Sequence, residues 1–130
     1  MNGFPWTALA TLLVLIVYAG FGTVVSRARS RFGVIAPAVS GNIEFERRYR
    51  VQMNTLEQLP LLLPLIWLCS IAWGDLWGAL GGLFWSVGRV IYARAYYADA
   101  AKRDIGFTIG GIPVLAMFVA VLVAIGMRWA

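Results

Sequence analysis

Residues 44–60 read EFERRYRVQMNTLEQLP and set Arg50, Asn54 and Glu57 at helical spacing. At 100° per residue these three project within about 60° of one another, and Glu46 extends the stripe by a turn. With 1.5 Å of rise per residue the polar face reaches about 10 Å below Arg50, into a run that is otherwise apolar. A second set, Arg89, Tyr92, Tyr96 and Asp99, falls within an arc of about 80°. Arg103 joins that arc if the helix continues so far. A guanidinium can fork onto a carboxylate, and a carboxylate such as Glu57 can receive an ammonium group. If the two stripes face each other, they line a cavity suited to a ligand with anionic groups and one cationic group. Each residue alone has a plainer role: arginine snorkels, tyrosine anchors at an interface, and Glu57 pairs with Arg89. The whole set fits those roles poorly, because an excess of positive charge stays near one buried acid.

The elements that carry these residues are membrane helices. Of 130 residues 61% are hydrophobic and 13% charged, with no histidine, which is far more apolar than a soluble domain of this length. A bilayer span needs about 20 mainly apolar residues, and four segments qualify, at about 5–25, 51–74, 76–93 and 105–127. They leave no room for a soluble domain, so residues 1–130 read as a single all-α domain, a left-handed bundle of four transmembrane helices. The first span lacks a basic stretch before it and a small-residue cleavage site after it, so a cleaved signal peptide is not expected.

Net charge is +5, but placement matters more than the sum. Arg27, Arg29, Arg31, Arg47, Arg48 and Arg50 surround the first loop, and Arg94, Lys102 and Arg103 the third. The second loop, near Asp75, has no Lys or Arg. The positive-inside rule therefore puts the first and third loops in the cytoplasm and both termini on the opposite side, where Trp6, Trp73, Trp77 and Trp129 gather as an aromatic belt. Nucleic acid is not an expected partner. Pro60 and Pro64 free backbone carbonyls inside the second helix and predict a kink. Gly78 and Gly82, with Gly106 and Gly110, have the spacing that lets membrane helices approach closely. Cys69 stands alone in a span and reads as a small apolar residue, and no metal-ligand set accompanies it.

The segment GNIEFERRYRVQMNT, residues 41–55, resembles the signature of the membrane-associated proteins in eicosanoid and glutathione metabolism, the MAPEG family. Its matching positions are Gly41, Phe45, Glu46, Arg47, Tyr49, Gln52 and Asn54. A second block, GRVIYARAYYADAAKRDIGF at 88–107, resembles the end of the family's third helix. The resemblance implies a homotrimer of four-helix subunits with a glutathione site between neighbours, near the cytoplasmic face. Carried over by position, Arg50, Asn54, Glu57, Tyr92 and Tyr96 hold the tripeptide, with Gln52 and Arg89 as further contacts. Gln52 projects to the far side of its helix from Glu57, which suits a residue that serves the neighbour's site. Arg103 matches the arginine that stabilises the glutathione thiolate, with Arg29 as a second candidate. Gln58 joins the binding set, although it stands where the eicosanoid-processing branch has Tyr. Arg48, Val51 and Thr55 also replace that branch's usual residues, so leukotriene synthesis is not supported.

The resemblance thus implies an integral-membrane glutathione transferase of the detoxification kind, with glutathione-dependent peroxidase activity as a second reaction open to it. Glutathione is its co-substrate, and a lipophilic electrophile or lipid hydroperoxide arrives from the membrane lipid. A free thiol has a pKa near 8.5, so a fixed cation beside sulfur raises the thiolate fraction without a general base, which suits a chain lacking histidine. Two alternatives stay open: a non-catalytic lipid-binding or scaffold member of the same family, and a small proton-coupled transporter that uses Glu57.

Overall fold

The structure is a computed structural model that describes residues 3–129, without the side chains of 102–107. Four long helices run in the order α1 (Pro5–Phe32), α2 (Ile43–Trp73), α3 (Asp75–Ala98) and α4 (Arg103–Trp129), with a short 3-10 turn, Ala100–Lys102, before the last. The all-α membrane bundle expected from the sequence is therefore present. Three of the helices are long and apolar enough to cross a membrane. The third, which the sequence also offers as a span, has the length but not the apolar content. Gly78, Gly81, Gly82, Ser86, Gly88 and Arg89 dilute it, and it packs against α1, α2 and α4. Its end also corrects an expectation: α3 stops at Ala98, so Arg103 does not extend the α3 stripe but opens α4.

Local chemistry fixes the helix ends. Pro5 occupies the first turn of α1, where a missing N–H costs nothing, but Phe4 offers no side-chain cap. The cap comes from across the bundle: Asp75 accepts hydrogen bonds from the Trp6 and Thr7 backbone N–H groups at 2.9 and 2.8 Å. The Thr7 hydroxyl donates to Asp75 Oδ1 at 2.6 Å. That uses its only proton, so Ser70 Oγ, also 2.6 Å away, is the donor in their mutual bond. At the other end of α1, Gly33 adopts the left-handed conformation with φ 66°, a geometry that glycine enters without a Cβ penalty. Asn42 caps α2, its side-chain oxygen accepting from Glu44 N and Phe45 N. The α2 helix then stays continuous through Pro60 and Pro64. A one-residue turn at Gly74 sends α3 back antiparallel.

The helices meet through three apolar clusters along the bundle. One joins Val14, Leu62, Ile66, Trp85 and Met117, the next Phe21, Val51, Tyr92 and Ala93, and the third Val25, Ala28, Val34 and Phe45. Leu12, Ile16, Leu61, Leu68, Phe84, Leu115 and Leu122 instead face outward, as side chains do when lipid is the solvent. Close approach depends on glycine. A Cβ at Gly78 would run into the Ile66 carbonyl and the Ser70 side chain, and one at Gly82 would lie 3.2 Å from the Ala10 Cβ. The third-helix half of the small-residue pattern therefore does the packing the sequence suggests, and Gly110 packs against Gly88. Gly106 lies outside the described side chains.

Gly78→Ala should force α2 and α3 apart, and the clash with backbone leaves no rotamer to relieve it. A loss of about 1–3 kcal/mol is expected, read as a lower melting temperature of the detergent-solubilised protein. Gly126→Ala, with nothing within 4 Å of the added methyl group, should cost nothing.

Candidate functional site

The site grows from a polar seam between α2 and α3. Arg89 is fully buried, and its Nη2 donates to Asn54 Oδ1 at 3.1 Å and to Thr55 Oγ1 at 2.7 Å. Thr55 can accept because its own proton goes to the Val51 carbonyl at 2.7 Å. The guanidinium lies 4.3 Å from the centre of the Tyr92 ring, a cation–π contact that strengthens away from water. Arg89 Nε and Nη1 have no hydrogen-bond partner among the described residues. The Glu57–Arg89 pair that the sequence allowed is not formed. One turn deeper, Trp85 Nε1 donates to Gln58 Oε1 at 2.9 Å. The antiparallel helices thus exchange two successive rungs, Asn54 with Arg89 and Gln58 with Trp85.

Towards the first and third loops the seam opens into a cleft of ≈ 330 Å³ lined by Val39, Ile43, Glu46, Arg47, Tyr49, Arg50, Tyr96 and Ala100. Arg50 and Tyr96, one from each stripe, therefore share one hollow. The Tyr96 ring stands 5.5 Å from that of Tyr92, which ties the hollow to the Arg89 rung. Neighbouring arginines are occupied. Arg47 bonds Glu44 and the Tyr97 and Ala98 carbonyls at the end of α3, where a cation meets the negative end of the helix. Arg48 pairs with Glu44 at 2.9 Å. Arg50 and Glu57 stand apart from this pattern: both are exposed and neither has a partner among the described residues. They lie on one face of α2, about 10 Å apart along the axis, with Asn54 between them.

Other candidates lie elsewhere. Arg29 Nη1 donates to the Val34 and Ala38 carbonyls at 3.1 and 2.7 Å, and its guanidinium sits 4.7 Å from the Phe45 ring centre, so it clamps the first loop. Gln52 faces α1, where its Nε2 would lie 3.2 Å from a Cβ on Gly22, on the side away from Glu57. Asp99 ends α3 and accepts from Ala101 N at 3.0 Å. The side chains of Arg103 and Lys102 lie outside the described residues. Arg89, offered by the sequence as a ligand contact, has no exposed surface; it touches Asn54, Thr55 and Tyr92 instead. The sequence reading noted Thr55 only as a departure from the eicosanoid-processing branch and did not single out Trp85. Their signal was the helical interval, since positions 54 and 58 on α2 face 89 and 85 on an antiparallel α3.

The MAPEG family model matches residues 7–123. An uncharacterized protein of Synechocystis sp. is 42% identical over 120 residues, covering 92% of this chain and 88% of that protein. Microsomal glutathione S-transferase 2 of Mus musculus is 34% identical over 116 residues, 88% of this chain and 79% of the relative. Leukotriene C4 synthase of Rattus norvegicus is 38% identical over 96 residues, 74% of this chain and 64% of the relative.

A buried cation that lacks a carboxylate partner carries a desolvation cost, so removing the cation and removing its partner should differ in sign. Arg89→Met, which fills much of the same volume, should leave the melting temperature unchanged or higher. Thr55→Val takes one of the two acceptors away and should cost about 1–3 kcal/mol. Thermal unfolding of both variants in the same detergent measures the contrast.

Proposed function

The chain belongs to the MAPEG family, and on that premise we propose that it is an integral-membrane glutathione transferase. The observation that carries the reading is the pair Arg50 and Glu57 on one face of α2, neither with a partner among the described residues. Glutathione has two carboxylates, an ammonium group and a thiol. Arg50 takes a carboxylate as a fork, Glu57 takes the ammonium group, and Asn54, held at its oxygen by Arg89, turns its amide N–H groups to the peptide between them. Tyr96 lines the hollow beside Arg50, with the Tyr92 ring against it.

An exposed carboxylate beside apolar side chains needs cover, and a neighbouring chain supplies it. We therefore place the complete site between subunits of a homotrimer, with the first and third loops cytoplasmic. Gln52, turned away from Glu57 on its own chain, then serves the adjoining site, and Arg29 serves it from the first loop that it clamps. Arg103 holds the thiolate. In conjugation the sulfur bonds to the electrophilic carbon, and a leaving group such as halide departs with its electron pair. In peroxide reduction two glutathione molecules become the disulfide while the hydroperoxide becomes alcohol and water. The electrophile or hydroperoxide enters from the lipid side.

Purified protein should conjugate glutathione to a hydrophobic aryl chloride. Arg103→Ala should lose the ultraviolet absorbance of bound thiolate while keeping most of its glutathione affinity; unchanged thiolate would move that role to Arg29 or Lys102. Glu57→Gln should weaken glutathione binding about tenfold or more, the scale of a hydrogen bond to a charged group. Equilibrium binding to each variant separates the two roles, and unaltered affinity in Glu57→Gln would remove it from the site.

A further inference from the structure

A second cleft, ≈ 360 Å³, lies between α2 and α4, away from the Arg50 hollow, and is walled by Leu61, Val114, Leu115 and Phe118 with Gly111. Gln58 is the single polar side chain among its lining residues. An amide set in an apolar wall costs about 1–3 kcal/mol for each polar group left unbonded. Here half of it is satisfied, by the 2.9 Å bond from Trp85 Nε1. An indole N–H can only donate, so the atom facing it must be the amide oxygen, and the orientation of Gln58 follows from chemistry. Trp85 is itself fully buried in the main apolar cluster, which holds the donor of that bond in place. The –NH2 end of Gln58 therefore points away from Trp85, and it has no partner among the described residues. Gln58 is only half-buried and lines the cleft, so that end is accessible to a bound molecule.

We propose that Gln58 Nε2 is a specificity-determining hydrogen-bond donor, which makes the α2/α4 cleft select apolar molecules bearing an acceptor oxygen, a carbonyl or a hydroperoxide, over hydrocarbons and halides of the same shape. The volume suits a small lipophilic molecule, since ligand clefts begin at about 300 Å³, and the walls exclude a charged one. Gln58 lies one turn below Asn54 on α2, about 6 Å along the axis, so the oxygen-bearing end of the molecule is the end nearest the peptide-binding face. That this end is also the reactive one rests on the glutathione reading; the binding preference does not. For an unsaturated ketone the reaction is an addition: sulfur bonds to the β-carbon, the π pair moves onto the oxygen that Gln58 holds, and a water proton ends on the α-carbon.

The test uses the full-length protein in lipid nanodiscs without glutathione. A long-chain saturated ketone should raise its melting temperature more than the alkane of equal length, and equal shifts in the unsubstituted protein would overturn the proposal with no variant needed. Gln58→Met should weaken ketone binding about fivefold to tenfold, the range of one hydrogen bond, and leave the alkane unaffected. Gln58→Glu, which keeps an acceptor for Trp85 but presents a carboxylate where the amide donors were, should lose the same preference. A parallel fall for ketone and alkane would overturn it. With glutathione present, the ratio of kcat/KM for the unsaturated ketone to that for an alkyl iodide should fall in Gln58→Met by the same factor. A protein that prefers the ketone but conjugates neither substrate would refute the transferase reading and leave the specificity of the cleft standing.

Discussion

The arrangement depends on one buried cation. Arg89 sits inside a helical bundle with two side-chain oxygens of α2 and the face of Tyr92 around it, and no carboxylate among the described residues. Such a charge is tolerated only where geometry holds its acceptors in place. The bonds to Asn54 and Thr55 therefore fix the register of α2 against α3 as well as the orientation of Asn54. Glycine lets α4 follow the same line: a Cβ on Gly110 would lie 3.7 Å from Arg89 Cδ, and Gly88 lies against Ile109 and Gly110.

From that register both clefts follow. Towards the basic loops, the exposed Arg50 and Tyr96 frame a polar hollow, with the Tyr92 ring packed behind Tyr96. Deeper in the bundle, the Trp85–Gln58 rung faces an apolar one. The two clefts are thus separate and chemically distinct, one lined by Glu46, Arg47 and Arg50 and the other apolar but for Gln58, and one polar seam between α2 and α3 runs from the first towards the second. The far end of the molecule has a different task. There Asp75 gathers the start of α1 onto the turn between α2 and α3, which joins three helices at a point where water is close and a carboxylate is inexpensive to keep charged.

The fold was largely legible in the residue order. Long apolar runs interrupted by a few charges specify membrane helices, because a backbone in lipid must satisfy its own hydrogen bonds. Gly33, Asn42 and Gly74 mark ends and turns for local reasons. The stripes of Arg50, Asn54 and Glu57 and of Arg89, Tyr92 and Tyr96 were also visible, since helical spacing is a one-dimensional property. The limit of α3 was less so: Asp99 closes it and a 3-10 turn intervenes before Arg103, which a pattern of charges does not reveal.

Sequence by itself determined which residues lie on each face, how many helices form, and that a carboxylate and several arginines share one end of the bundle. Only the tertiary structure decided their partners. Glu57 and Arg89 carry opposite charges at similar depth, yet Arg89 turns to Asn54 and Thr55 and leaves Glu57 without a partner among the described residues. Arg29 and Arg47 look like Arg50 in the sequence, but loop and helix-end carbonyls occupy the first two. The physical reason is that helical periodicity gives a side chain its direction, whereas pairing depends on the rotation and register of one helix against another, and packing around glycine and a buried guanidinium sets those in three dimensions.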